Sequence, residues 1–320
     1  MLRQTGGPEV LTIEDVPEPV PRPEEIMVTS TATALNRADT LQRMGFYPGP
    51  PMELEIPGLE FAGTVSAVGE RVSAWSVGDE VMGIVGGAAY AEKVIIHERH
   101  ALPVPSSVAL VDAAAIPEVF MTAFDALVVQ GGLTSGRWAL VHAGASGVGT
   151  AAIQIAKAIG ARIIVTTSTG KVDRCRSLGA DVVVDYTSAD FAEAVAEATG
   201  GVGVDVVLDV IGGEYTVRNI QSLRVKGRLI QVGVMGEGTV ELPLGLLLPK
   251  RASIIGTVIR ARPLEEKAAL AQQFSREMLP LFDSGRLEPV IDARFAFDDI
   301  ADAHRYLETN ANVGKILIDF

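Results

Sequence analysis

Apolar and polar positions follow two different rhythms along the chain, and the change falls near residue 119. Ahead of it lie short alternating or β-branched segments at 10–16, 26–35, 61–68, 81–85 and 90–96, parted by turns such as Pro21-Arg-Pro23 and Val77-Gly-Asp-Glu80. Strands at this spacing predict a β-rich, partly closed barrel. Beyond it, buried-strand runs near 138–142, 162–166, 181–185, 204–209 and 227–232 alternate with helical spacing near 147–159, 171–178, 189–199 and 214–224. That alternation predicts an α/β fold with a doubly wound parallel (Rossmann) sheet. A sixth strand is expected at 252–259. From Pro263 come a long amphipathic helix, a strand at 289–297, a helix at 300–309 and a last strand at 314–320. This tail has no place in a completed six-strand parallel sheet, so it is expected to return to the N-terminal barrel. The expected domains are 1–118 with 261–320, discontinuous in sequence, and 119–260.

The stretch Trp138-Ala-Leu-Val-His-Ala-Gly-Ala-Ser-Gly-Val-Gly149 reads as strand, glycine turn and helix start. Gly144 fits the tight turn of a dinucleotide fingerprint and Gly149 its close helix packing, with Ser146 in the second place. The N–H groups of Ser146, Gly147 and Val148 would face an anion together with the helix dipole, and the Ser146 hydroxyl can donate to a phosphate. Such a fingerprint alone is a weak signal. The next strand adds to it. About twenty residues on, an NAD site carries an acid for the ribose diol. This chain has Thr167 and Ser168 there, with Lys171 and Arg174 following. Hydroxyls and cations suit a 2′-phosphate, so NADPH is the expected cofactor.

Composition narrows the function. With 320 residues, 48% of them hydrophobic, the chain can bury a sizeable core. A formal net charge of −13 and the lack of a basic run argue against nucleic acid or an anionic membrane as partner. The start Met1-Leu-Arg-Gln-Thr-Gly-Gly-Pro8 has no signal-peptide pattern, and no apolar stretch approaches the ~20 residues of a membrane span. A cytoplasmic protein is expected. One cysteine, Cys175, excludes an internal disulfide and reads as a packing residue. Four histidines and one cysteine do not cluster, so no metal site is expected. His142 reads as a hydrogen-bonded structural residue, His97 and His100 fall in a loop, and His304 lies on a surface-like helix. No nucleophile and base are paired either, which leaves hydride transfer by the cofactor. In Asn36-Arg-Ala-Asp39 and Met44-Gly-Phe-Tyr-Pro-Gly-Pro50, Asn36 can orient a nicotinamide or a substrate carbonyl or cap a turn. Tyr47 can stack on a planar acceptor or stand exposed in its loop.

With these residues in hand the chain resembles the zinc-independent, zeta-crystallin-like quinone oxidoreductases of the medium-chain dehydrogenase/reductase superfamily. Within them it is similar to the branch that contains the tumour-suppressor-inducible quinone oxidoreductase. Matching stretches are Gly6-Gly-Pro-Glu-Val-Leu11, Asn36-Arg-Ala-Asp39, Ile56-Pro-Gly-Leu-Glu-Phe-Ala-Gly63, Gly78-Asp-Glu-Val81, Ala115-Ile-Pro-Glu-Val-Phe-Met-Thr-Ala-Phe124, Asp209-Val-Ile-Gly-Gly213 and Asn312-Val-Gly-Lys315. The resemblance covers nearly the whole chain. Relatives carry several more residues before Gly6, so either the first barrel strand is short here or the true start lies upstream.

The resemblance implies a GroES-like first domain and an acceptor slot between the two domains. Zinc-dependent relatives place a histidine where Leu59 stands before Glu60, so Leu59 implies an empty metal site. Thr122 is implied at the nicotinamide, Ser146 to Val148 at the pyrophosphate, and Thr167, Ser168, Lys171 and Tyr186 around the adenosine 2′-phosphate. Gly212, Gly233, Val234, Met235, Ile259 and Asn310 are implied to close over nicotinamide and ribose, with Asn36 and Tyr47 facing the slot. In such enzymes quinone reduction needs no protein base, because the reduced quinone takes protons from water. The group also implies a homodimer joined by the cofactor domain, for which the apolar segment 252–259 is the expected edge. The functional readings are an NADPH:quinone reductase, an NADPH-dependent reductase of activated C=C bonds (2-alkenals or enoyl thioesters), and a non-catalytic, crystallin-like NADPH-binding protein.

Overall fold

The computed structural model describes residues 1–47 and 54–320. Two compact units are present, Met1–Met121 with Ile259–Phe320, and Thr122–Val258. In chain order the strands are β1 (Glu25–Ala34), β2 (Glu60–Val68), β3 (Glu80–Ile84), β4 (Lys93–His97) and β5 (Leu102–Pro103), then β6 (Trp138–Val141), β7 (Arg162–Thr167), β8 (Val182–Asp185), β9 (Val204–Asp209), β10 (Leu223–Gln231) and β11 (Ser253–Gly256). The chain ends with β12 (Ile291–Ala296) and β13 (Lys315–Asp319).

In the first unit the sheet runs β12-β13-β1-β2-β3-β5, with β4 also on β1, and its path does not close among the described residues. All pairs are antiparallel except β12 with β13. The ten-residue β1 is its axis. β2 follows one edge, while β4 pairs with Glu25 to Thr29 and β13 with Ala32 to Ala34 along the other. Alternate residues Ile26 and Val28 face Phe61, Val65, Val81, Val94 and Ile96 in one core, as period-two patterning requires. One expected strand is missing. Segment 10–16 forms only the 3₁₀ turn Pro8–Val10 and a single bridge from Leu2 to Leu11. Ile13 and Val16 are exposed, and Pro17, Pro19, Pro21 and Pro23 lack the N–H groups a ladder needs.

The second unit is a parallel sheet in the order β11-β10-β9-β6-β7-β8. Strand order reverses between β6 and β9, so the loops that leave those two strands diverge to opposite sides of one crevice. Its central strands β6, β7 and β9 are apolar runs buried on both faces, with Leu140, Ile164 and Val207 in the core. The expected strand at 252–259 is shorter, Ser253–Gly256, and forms the sheet edge.

The return of the chain to β1 turns on Gly314, at φ 85°, where an added Cβ would stand 2.2 Å from the Val290 carbonyl oxygen. That carbonyl accepts the Lys315 N–H at 2.8 Å. Gly314→Ala should therefore lower the unfolding free energy by about 1–3 kcal/mol. An unchanged urea midpoint would remove Gly314 from this account.

Candidate functional site

Apart from Thr122, the expected cofactor residues of the second unit lie at or beyond the carboxyl ends of its strands. After β6 the backbone passes Ala143 in the left-handed region, φ 55°, and enters the helix Gly147–Ala158 with Ser146 as N-cap. Ser146 Oγ accepts the Gly149 N–H at 3.0 Å. Its own proton meets no acceptor among the described residues. The Ser146 N–H donates to the Ala143 carbonyl at 2.9 Å, which corrects its expected place among the anion-facing donors. The first turn of a helix offers the Gly147 and Val148 N–H groups no carbonyl, so both are open to an anion. Gly144 and Gly149 act through space, because neither has a positive φ. A Cβ on Gly149 would lie 2.3 Å from the Ala143 oxygen, and one on Gly144 2.6 Å from Val165 Cβ. This narrow cradle, with two N–H groups and a hydroxyl, fits a dinucleotide pyrophosphate.

Thr167 on β7 and Asp185 on β8 are paired strand ends. The Tyr186 N–H donates to the Thr167 carbonyl at 3.1 Å, so half-buried Ser168 and Lys171 and exposed Tyr186 follow the same two strand ends. Thr167 departs from expectation. Its side chain is buried and bonded to the Cys175 thiol on the helix Val172–Ser177, so its hydroxyl packs inward instead of facing a phosphate. Burial pushes the Cys175 thiol up, in keeping with a packing residue. Sequence reasoning missed Asp185. Its carboxylate accepts the Thr187 hydroxyl at 2.7 Å and N–H at 3.0 Å. The hydroxyls of Thr169 and then Thr187 hold it below the usual carboxylate range.

Around the strand-order reversal, buried Asp209 accepts the N–H groups of Ile211 at 2.6 Å and Gly212 at 3.1 Å, and the Asn219 amide at 2.9 Å. Asn219 Oδ1 then faces His142 Nε2 at 2.7 Å, and Thr166 Oγ1 faces Nδ1 at 3.0 Å. Nε2 must therefore carry the proton and Nδ1 accept from Thr166. Burial lowers the His142 pKa and keeps the ring neutral. The loops after β9 and β10 lie side by side, tied by Met235 N–H to Val210 O (3.0 Å) and Gly236 N–H to Ile211 O (2.8 Å). Gly212, Gly233, Val234 and Met235 thus form one ledge. Thr122 is buried in the helix Pro117–Phe124, before the π-helical turn Asp125–Gln130. Ile259 and Asn310 belong to the other unit. There Asn310, at φ 54°, follows the helix Ile300–Glu308 and accepts the Arg37 guanidinium.

The first unit holds a buried polar network that sequence reasoning missed. Glu60, fully buried, accepts Asn36 Nδ2 and Lys315 Nζ on Oε1, both at 2.8 Å, and the Glu118 N–H on Oε2 at 2.8 Å. Lys315 gives its other protons to Leu35 O (2.6 Å) and Asn36 Oδ1 (2.7 Å). The second Asn36 amide proton points to Ala34 O at 3.4 Å. Asn36 therefore has no N–H left for a nicotinamide or substrate carbonyl, which corrects its expected role; it is the joint of the ion pair and the N-cap of the helix Arg37–Arg43. The signal was available, since Glu60 and Lys315 are lone charges in apolar runs.

Behind Asn36, Asp39 Oδ2 accepts the Asn36 N–H (2.8 Å) and the Tyr90 hydroxyl (3.0 Å), and Tyr90 meets His304 Nε2 at 3.2 Å. His304 is fully buried, not on a surface face, because its helix turns Ile300, Ala303, His304 and Leu307 inward together. Burial, helped by Arg43, lowers its pKa to about 3, and burial raises Asp39 to about 6. A neutral His304 donates to Tyr90, which donates to Asp39. His97 also departs from expectation, closing β4 instead of lying in a loop. Tyr47 is half-buried, with the Arg260 guanidinium 5.1 Å from its ring centroid. Burial raises the Tyr47 phenol while Arg260 opposes the shift. The Pro48 to Pro50 part of that loop lies outside the described residues.

Two outcomes follow from these contacts. Lys315→Met leaves Glu60 buried and unpaired and should cost about 3–5 kcal/mol, with Glu60→Gln in the same chain restoring part of it. Additive losses in urea unfolding would deny the pairing. For Asp39 the folded pKa of about 6 exceeds the unfolded 3.8, so between them the folded state binds the extra proton. Its contribution to stability falls as pH rises through that window. His304, at about 3 against 6.5, contributes the opposite slope. Unfolding curves of Asp39→Asn should hence show stability rising from about pH 4 to 6 more steeply than wild type. Parallel pH profiles would contradict the Asp39 shift.

Comparison with known proteins agrees with this architecture. Residues 147–276 match the family described as zinc-binding dehydrogenase, and 22–106 the alcohol dehydrogenase GroES-like domain. Over 98% of its own length the chain is 33% identical to a phenolphthiocerol/phthiocerol polyketide synthase of Mycobacterium tuberculosis, but it spans only 14% of that protein. It is 31% identical to the quinone oxidoreductase of Lama guanicoe, covering 98% of this chain and 94% of that one. The solved structure of Escherichia coli quinone oxidoreductase complexed with NADPH superposes with a TM-score of 0.90 at 30% identity, over 100% and 98% of the two chains. The chain belongs to the medium-chain dehydrogenase/reductase superfamily of NAD(P)-dependent oxidoreductases, in its quinone oxidoreductase group.

Proposed function

We propose that the protein is an NADPH-dependent quinone oxidoreductase that works without zinc. The observation that carries the cofactor choice is the end of β7, which has no acid and leads to Ser168 and Lys171 with Tyr186 beside them. NADPH, when bound, supplies a hydride. The chain's own part is to hold it: the Gly147 and Val148 N–H groups and the Ser146 hydroxyl take the pyrophosphate, and Lys171 takes the 2′-phosphate. Gly212 and Gly233 to Met235, with Thr122 of the same unit, line the nicotinamide and ribose. Asp185 opposes a nearby phosphate by its charge, and its bonds to Thr169 and Thr187 turn it into its own loop. Two features support the absence of zinc. Leu59 offers no ligand where zinc-dependent relatives have histidine, and the Glu60 carboxylate is already balanced by the Lys315 ammonium.

The edge strand β11 leaves Ile254 and, just past it, Val258 exposed. An uncovered apolar edge favours pairing with a second copy, so we assign a homodimer through it. Light scattering at micromolar concentration should give twice the chain mass, and a monomer would refute the assignment.

Turnover of a simple benzoquinone with NADPH tests the acceptor. Activity confined to crotonaldehyde or an enoyl thioester would replace the quinone reading by one of C=C reduction. Binding of NADPH without turnover of either would favour the non-catalytic reading. Lys171→Ala should weaken NADPH by about 1.5–3 kcal/mol more than NADH. Equal losses for the two cofactors would move the phosphate elsewhere.

A further inference from the structure

Among the described residues of the first unit, three cations are buried: Arg43, Arg260 and Lys315. Arg43 pairs with Glu308 and Lys315 with Glu60. Arg260 has no carboxylate partner among the described residues. Its Nε donates to Gly86 O at 2.8 Å, Nη2 to Gln42 Oε1 at 2.9 Å and Nη1 to Tyr47 O at 3.4 Å. These acceptors are all neutral. A guanidinium has five N–H groups in a fixed fork, so two meet no acceptor among the described residues. The Tyr47 hydroxyl likewise has no partner among the described residues, and its ring lies under the same guanidinium. Asp39 and Glu55 attract this charge without a hydrogen bond to it, and a buried charge with no bonded carboxylate costs desolvation energy that packing alone does not return. Burial also lowers the Arg260 pKa, although a guanidinium stays charged. The arrangement is that of a site awaiting an anion or a developing one.

We propose that Arg260 is a catalytic residue: its two remaining N–H groups, with the Tyr47 hydroxyl, bind the acceptor oxygen that becomes negative during reduction. This rests on the reading that the protein reduces quinones with NADPH. In that reaction hydride bonds to one quinone oxygen while the nicotinamide is oxidised. The ring becomes aromatic, the second oxygen is left as a phenolate, and a proton from water completes the hydroquinone. A cation fixed before the reaction stabilises the phenolate more than the neutral quinone, and only such a difference accelerates the step.

The test is binding of 4-nitrophenolate, followed by its absorbance, to the protein with oxidised NADP added, at a pH where the phenol is ionised. The uncharged 4-nitroanisole serves as reference. Wild type should prefer the phenolate, and Arg260→Gln should lose about ten- to a hundredfold of that preference with anisole binding held. Arg260→Lys should keep part of it. Tyr47→Phe, which retains the ring under Arg260, should lose a smaller share and keeps the test open if Arg260→Gln fails to fold. A wild type without the preference, or variants that keep it or lose both ligands alike, would overturn the proposal. Quinone turnover is read separately. If the Arg260-dependent preference is found but quinone is not reduced, the acceptor assignment fails and the anion site stands; the reverse result removes the anion site alone.

Discussion

The buried pair between Glu60 and Lys315 ties together parts of the chain that are far apart in sequence. It joins the first residue of β2, the first residue of β13 and, through Asn36, the end of β1 and the start of the helix Arg37–Arg43. Two charges without water are stable together only when their remaining hydrogen-bonding positions are also filled. Here the Leu35 carbonyl, the Asn36 amide and the Glu118 N–H fill them. The C-terminal strand is therefore fixed electrostatically as well as by its ladder to β1. The same pair explains why the asparagine that looks like a substrate ligand is a joint.

In the parallel unit the governing constraint is space. Gly144 and Gly149 let the helix and β7 approach the turn closely, and Ala143 takes the left-handed conformation. Such a turn leaves N–H groups at the crevice where strand order reverses, open to an anion. The stiff Asp209, Asn219, His142 and Thr166 chain holds the neighbouring loop against it. His142 is thus spent on structure, in a fixed tautomer.

Strand alternation decides which hydroxyls reach solvent. Thr166 and Thr167 point to opposite faces, one to His142 and the other to Cys175, so a Thr-Thr-Ser run offers fewer surface hydroxyls than its sequence suggests. Asp185 shows the converse. It is remote from the fingerprint in sequence, yet parallel pairing brings it opposite Thr167.

Local patterning was enough to reveal the alternation of strands and helices, the parallel sheet, the glycine turn and the missing acid after β7. Each depends on short-range periodicity or on residues within one βαβ unit. The failure of 10–16 to pair was not legible in that way, since it rests on the lack of a ladder partner and on four prolines further along. Nor could a linear reading show that Asn36 is saturated, that His304 is buried against Tyr90 or that Arg260 meets Tyr47 with no carboxylate bonded to it among the described residues. Those facts depend on contacts over more than two hundred residues of separation, which no local pattern encodes. A buried charge shows its partner, or the lack of one, only after the chain has closed around it.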